Sequence, residues 1–132
     1  MKKKPIILVV DDEKIVLELF HRILKKKEYT VLTANNDKEA LELVEKEKPD
    51  LVILDLQLPG INGIEVLRWI KKIDENIEVI VITGYGTIKT VKTAMKLGAY
   101  DYITKPLAIN YLSSLIKKAL SPVSPKRLTR GN

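Results

Sequence analysis

Leu51-Val52-Ile53-Leu54-Asp55-Leu56-Gln57-Leu58-Pro59-Gly60 sets the reading of the whole chain, because an uncharged apolar run ends abruptly in one carboxylate followed by turn residues. Such a run reads as a strand buried on both faces of a sheet. Asp55 then stands at the strand's carboxyl end, on the edge where open parallel sheets hold their ligands. A carboxylate placed there must meet solvent, a cation or a reacting group. Alone, it would be no more than a cap for the following loop.

Outward from that run, strand and helix patterns alternate. On the N-terminal side Ile6-Ile7-Leu8-Val9-Val10 is a second buried run, ended by Asp11-Asp12. From Glu13 to Lys27, Val16, Leu19, Phe20, Ile23 and Leu24 recur at helical spacing and leave Lys14, Glu18, His21, Arg22 and Lys25 outside. Tyr29 to Ala34 is a short β-branched strand. Asn35-Asn36-Asp37 supplies cap residues for a helix through Lys46, with Ala40, Leu41 and Val44 inward. On the C-terminal side Pro59-Gly60-Ile61-Asn62-Gly63 leads into a helix from Ile64 to Ile73 that buries Val66, Leu67 and Ile70. Glu78 to Thr83 is a strand closed by Gly84-Tyr85-Gly86. Thr87 to Leu97 is a helix facing inward with Ile88, Val91, Ala94 and Met95, and it stops at Gly98. Tyr100 to Thr104 and Ile109 to Leu120 complete the series as strand and helix. This repeated βα order calls for a parallel sheet with helices on both faces.

At 132 residues, 45% apolar and 30% charged, the chain suits a single domain with one core. Residues 1–120 are read as that domain. Residues 121–132, where apolar periodicity gives way to proline and serine, are read as a linker or frayed tail. The chain has no cysteine, which excludes disulfides and thiolate metal sites. Met1-Lys2-Lys3-Lys4-Pro5 precedes only Ile6 to Val10 as an apolar core, too short for a signal peptide, and no segment approaches membrane-spanning length. A cytoplasmic protein without membrane contact is expected. The net charge of +6 is concentrated late, since after Val79 the only acid is Asp101, against Lys89, Lys92, Lys96, Lys105, Lys117 and Lys118 before the tail. Most of these lysines fall at helical spacing opposite apolar positions and lack interleaved aromatics. They read as a solvated face, and no direct contact with nucleic acid is expected.

A parallel sheet brings every strand's carboxyl end to one edge. That edge gathers Asp11 and Asp12 from the first strand, Asp55 from the third, Thr83 from the fourth and Lys105 after the fifth. Three carboxylates so close repel one another, at about 4 kcal/mol for a pair about 4 Å apart in an effective dielectric of about 20. Lys105 offsets one charge, and the remainder invites a hard divalent cation bound by oxygens. Mg2+ is the first choice, because one or two carboxylates with waters and a phosphoryl oxygen suit it. A nucleophilic carboxylate, a hydroxyl donor and a lysine around such a cation are equipped for phosphoryl transfer onto the carboxylate.

Asp11-Asp12, the run ending at Asp55 with Leu58-Pro59-Gly60, Thr83-Gly84 and Lys105-Pro106, in this order and spacing, resemble the receiver domain of two-component response regulators. The resemblance extends from Ile6 to Leu120, and the run from Thr83 through Thr87 to Gly98 through Pro106 is most similar to receivers of the nitrogen-regulation class and of hybrid sensor kinases. It implies a single α/β domain of the flavodoxin-like (βα)5 type, with sheet order 2-1-3-4-5. It implies that Asp55 takes a phosphoryl group from the phosphohistidine of a sensor histidine kinase or histidine phosphotransfer protein. Asp11, Asp12, Asp55 and the backbone carbonyl of Gln57 would hold Mg2+. Thr83 and Lys105 would bind phosphoryl oxygens, with the N–H groups of Gln57 and Gly84 nearby.

The same resemblance puts Tyr102 at an aromatic switch position, from which it would turn into the space that Thr83 leaves. The face made by the fourth helix, fifth strand and fifth helix would repack, to control an output domain or partner or to form a homodimer on phosphorylation. Gln57 and Tyr85, two residues after Asp55 and Thr83, would tune hydrolysis of the acyl phosphate, with the Tyr85 ring slowing it. Pro106 is the candidate for a cis peptide bond. The domain is then a switch and not an enzyme, promoting only its own phosphorylation and dephosphorylation.

Rival readings fail on particular residues. A Mg2+-dependent aspartate-nucleophile phosphatase usually needs a general acid two residues after its nucleophile, where this chain has Gln57. A flavin-binding fold would need a hydroxyl-rich phosphate loop after the first strand, where Asp11-Asp12 repel phosphate. A receiver-like scaffold that is never phosphorylated would have no use for the complete acceptor set. His21, the only histidine, reads as a solvated side chain, or, with Lys14, Leu17 and Glu18, as a contact for the partner kinase. Trp69 lies off its helix's apolar stripe and reads as partly buried, not as a binding anchor.

Overall fold

Period-two alternation in the central strands builds two cores at once. The computed structural model describes residues 4–58, 61–84 and 88–121. Within them β1 (Ile6–Val10), β2 (Thr30–Ala34), β3 (Leu51–Asp55), β4 (Glu78–Thr83) and β5 (Asp101–Thr104) form one parallel sheet in the order 2-1-3-4-5. Leu8, Val10, Val52, Leu54, Val79 and Val81 point into the core on one face, while Ile7, Val9, Leu51, Ile53, Ile80 and Ile82 point into the core on the other. Both faces are covered, so the strand sequences are continuously apolar.

Five helices do the covering: α1 (Lys14–Lys26), α2 (Asp37–Glu47), α3 (Gly63–Ile73), α4 (Ile88–Lys96) and α5 (Ile109–Leu120). α2, α3 and α4 bring Ala40, Val44, Val66, Leu67, Ile70 and Ala94 to the first core; α1 and α5 bring Phe20, Leu24, Leu112 and Ile116 to the second. Each fully buried branched aliphatic or aromatic side chain contributes about 1.5–3 kcal/mol. The Asn36 side chain accepts from the Glu39 N–H at 2.8 Å, and the Asn62 side chain from the Ile64 N–H at 2.9 Å, which fixes the starts of α2 and α3. α4 ends where Gly98 takes φ 102, a value glycine adopts without strain.

Two expected core positions are corrected. Leu19 is 48% exposed and Ile88 is 76% exposed. The stripe of α1 is centred on Leu17, Phe20 and Leu24, which are buried, and at 3.6 residues per turn Leu19 lies about 100° from Phe20. Ile88 lies about 120° from the buried Ala94 of α4 by the same count. A short antiparallel pairing of Gln57–Leu58 with Ile61–Asn62, not read from the sequence, follows β3. Strand and helix ends otherwise differ from expectation by about one residue. Pro59, Gly60, Tyr85, Gly86, Thr87 and the expected tail after Ser121 lie outside the described residues.

Candidate functional site

Asp11 and Asp55 are held in the same way. Each ends a strand of the buried sheet or directly follows it, and each accepts a hydrogen bond from the backbone N–H two residues on: Glu13 N–H to Asp11 Oδ1 and Gln57 N–H to Asp55 Oδ1, both at 2.9 Å. These local turns fix one oxygen of each carboxylate. The other oxygens turn to Lys105, whose Nζ lies 2.9 Å from Asp55 Oδ2 and 3.9 Å from Asp11 Oδ2. Lys105 is itself placed by its N–H, which donates to the Thr83 carbonyl at 3.0 Å and so continues the β4–β5 pairing past β5. The Lys105–Pro106 peptide is cis.

Burial separates the acids. Asp11 is 1% exposed and Asp55 2%, while the neighbouring Asp12 is exposed. One oxygen from each of the three lies within 4.8 Å of the others. Burial, followed by repulsion from Asp55 and the contact with Asp12, pushes the Asp11 carboxyl up to about 6, against the opposing Glu13 N–H and the Lys105 charge. Burial works against the Lys105 charge as well, but the hydrogen bond to Asp55 and the attraction of Asp55, Asp11 and Glu13 outweigh it, and its pKa is raised. Lys105 is therefore an ammonium at neutral pH. Three clustered carboxylates facing that one ammonium are a donor set suited to a hard, oxygen-seeking dication.

Thr83, at the end of β4, is 2% exposed and stands beside Asp55 across the β3–β4 pairing, in which Asp55 is in register with Ile82. The space above Gly84 is bounded by the Gln57 side chain and the Lys105 stem, since a Cβ there would meet Gln57 Oε1 at 3.6 Å and Lys105 Cδ at 3.8 Å. Gln57, Gly84 and Lys105 thus wall one side of the site. Tyr102 is 41% exposed on β5, in register with Val81. Tyr85 lies outside the described residues. His21 is exposed on α1 and not part of the cluster, and Trp69 is half exposed with the Lys72 ammonium 5.1 Å from its ring centre.

Two contributors were not singled out from the sequence. Glu13 acts through its backbone N–H, a group that every residue but proline carries, so its identity gave no signal. Gly63 packs so closely that a Cβ would stand 2.5 Å from both Cα and O of Leu56, the residue between Asp55 and Gln57. The Asn-Gly step at the start of α3 was the available clue.

The response regulator receiver domain family matches residues 7–117. The chain is 41% identical over 114 residues to sporulation initiation phosphotransferase F of Bacillus subtilis, covering 86% of this chain and 92% of that protein. It is 40% identical over 123 residues to a response regulator of Rickettsia typhi named as NtrX-like, covering 92% of this chain but only 26% of that longer protein. Among solved structures, a receiver domain protein (CheY-like) from Methanospirillum hungatei superposes with a TM-score of 0.86 at 32% identity, over 89% of this chain and 94% of that one. A response regulator from Burkholderia pseudomallei, solved with a phosphorylated aspartic acid, a calcium ion and citrate, gives 0.81 at 27% identity, over 97% of this chain and 73% of that one.

Proposed function

Because the chain belongs to the response regulator receiver domain family, whose members are phosphorylation-dependent switches served by histidine kinases, we propose that Asp55 is its phosphoacceptor. Asp11, Asp12, Asp55 and the Gln57 backbone carbonyl are the groups proposed to hold the Mg2+ typical of the family. The observation that carries this reading is the Asp55 carboxylate itself, buried in the acid cluster and held between the Gln57 N–H and the Lys105 ammonium, each at 2.9 Å.

In the proposed reaction an Asp55 oxygen attacks the phosphorus of a phosphohistidine. The P–N bond breaks with its electron pair passing to the imidazole, and an acyl phosphate forms. Lys105 exchanges its carboxylate partner for a phosphoryl oxygen, and the Thr83 hydroxyl donates to another. Bound Mg2+ supplies charge neutralisation to the carboxylates and phosphoryl oxygens. The domain acts on no other substrate, promoting only its own phosphorylation and dephosphorylation. Gln57 and Tyr85 are the residues proposed to set the rate of hydrolysis.

The half-exposed Tyr102 is proposed to turn inward as Thr83 is drawn to the phosphoryl group, repacking α4, β5 and α5. The added charge of about -1.5 to -2 provides the bias. A sensor histidine kinase or histidine phosphotransfer protein is the proposed donor, an output domain, partner or second copy the proposed receiver of the change, and no direct nucleic-acid contact by this domain is proposed. Residues 1–120 are taken as the folded unit, with a linker after it. No described helix is long and apolar enough to cross a membrane, and a cytoplasmic setting is proposed. Treatment with Mg2+ and a small acyl phosphate should yield a modification cleaved by hydroxylamine. A hydroxylamine-resistant product would point to a hydroxyl ester and overturn the assignment.

A further inference from the structure

Among the described residues, no further strand pairs with the outer edge of β2. The Thr30 N–H donates to the Pro5 carbonyl, and the Ala34 carbonyl accepts from the Asp11 N–H. In a parallel pair these bonds alternate along the strand, so Thr30, Leu32 and Ala34 face β1 with both backbone groups. The N–H and C=O of Val31 and Thr33 consequently point away from the sheet, because β2 is its outermost strand. Edge strands are commonly blunted by lysine, proline or a bulge, and Thr30-Val31-Leu32-Thr33-Ala34 contains no lysine or proline.

A groove of about 930 Å³ runs beside α1 and reaches this edge at Thr33, and its lining includes the buried Leu17. Its rim carries Lys14, Arg22, Lys25 and Lys26 against Glu18 and Glu39. Glu39 is tied to the chain by Oε1, which accepts from the Asn35 N–H at 3.0 Å, and the four cations outnumber the two carboxylates, so the rim is net basic. Val31 belongs to the α1 side of the sheet and Leu32 to the α2 side. On an added strand, every second side chain would therefore meet the basic rim.

We propose that the outer edge of β2 and the basic groove beside it take an extended acidic peptide as a sixth strand, with acids at alternate positions facing α1. Backbone bonds to Val31 and Thr33 give the register, and the rim selects carboxylates. A second copy of this chain is disfavoured as occupant, because pairing two β2 edges would bring two basic rims together. The groove is separate from the acceptor site, and this surface stands whether or not Asp55 is phosphorylated.

The test is titration of the full chain with an acetylated, amidated octapeptide of alternating glutamate and valine, read by calorimetry and by amide hydrogen exchange. Binding should slow exchange at Val31 and Thr33 and weaken with salt. It should fall about tenfold or more for Thr33→Pro, which removes an outward N–H tolerated as proline at an edge, and for Lys25→Glu on the exposed rim. Circular dichroism and labelling by a small acyl phosphate should be unchanged in both variants. Absence of binding, or binding that survives both Thr33→Pro and N-methylation of alternate peptide residues, overturns the proposal. Self-association abolished by Thr33→Pro assigns the edge to a second copy and overturns it equally.

Discussion

Lowering the pH should release Mg2+ from this protein well above the range in which ordinary aspartates titrate. Asp11 is raised from 3.8 to about 6 in the metal-free protein, chiefly by burial. Its carboxyl must lose its proton before an oxygen can serve a cation. For one competing proton the apparent Kd is multiplied by 1 + 10^(pKa − pH), which is about 1.1 at about pH 7 and about 11 at about pH 5. Mg2+ binding should thus weaken about tenfold across those two units and lose one further decade per unit below, with no change above about pH 7. With an ordinary carboxyl near 3.8 the factor at about pH 5 would be about 1.06, which calorimetry could not distinguish from none. Calorimetry in buffers of different ionisation enthalpy adds a second readout, since about half a proton should leave per Mg2+ at about pH 6. Asp11→Asn should flatten the profile. A wild-type Kd that is constant from about pH 7 to about pH 5 would refute either the burial of Asp11 or its place in the metal site.

Three further outcomes follow from the same geometry. Because Asp11 is raised, the folded chain keeps a proton that the unfolded chain has lost between about pH 4 and about pH 6, so its contribution falls as pH rises through that window and is constant above it. At 1.36 kcal/mol per pH unit the metal-free Asp11→Asn variant should be more stable than wild type by up to about 3 kcal/mol near neutrality, and parallel urea-denaturation profiles across the window would contradict this. Lys105→Met removes the ammonium 2.9 Å from Asp55. Mg2+ should then bind several-fold more tightly by calorimetry while single-turnover labelling slows about tenfold or more, and unchanged Mg2+ affinity would mean that the two cations do not share the acids. Gly63→Ala forces a Cβ to within 2.5 Å of the Leu56 backbone unless the chain moves. It should cost about 1–3 kcal/mol, lower Tm by several degrees and slow labelling, because Leu56 lies between Asp55 and the N–H that holds it; an unaltered Tm would show the contact to be relaxed.

The sheet was legible because its central strands are apolar on both faces. Leu51 to Leu54 permitted hardly any reading but a buried strand, and the single carboxylate after it located the functional edge. The site residues could be named because a parallel sheet converts separated sequence positions into neighbours. Burial within the site was less legible: Asp11 and Asp12 are adjacent in sequence, yet one is sealed and the other open, since the chain turns between β1 and α1. Helix faces were read to within about a third of a turn. That margin sufficed for Phe20 and Leu24 but misplaced Leu19, where an apolar residue at the edge of a stripe is indistinguishable from one at its centre until the helix docks. Glu13 shows the remaining gap, because backbone donors leave no mark in residue identity.

The most direct measurement maps the phosphoryl group by peptide mass spectrometry after incubation with a small acyl phosphate, with Mg2+ or with a chelator in excess. One labelled peptide should carry the modification, on Asp55, formed with Mg2+, absent with chelator and absent from Asp55→Asn. Labelling of Asp55→Asn at the wild-type level, or wild-type labelling indifferent to the chelator, would contradict it.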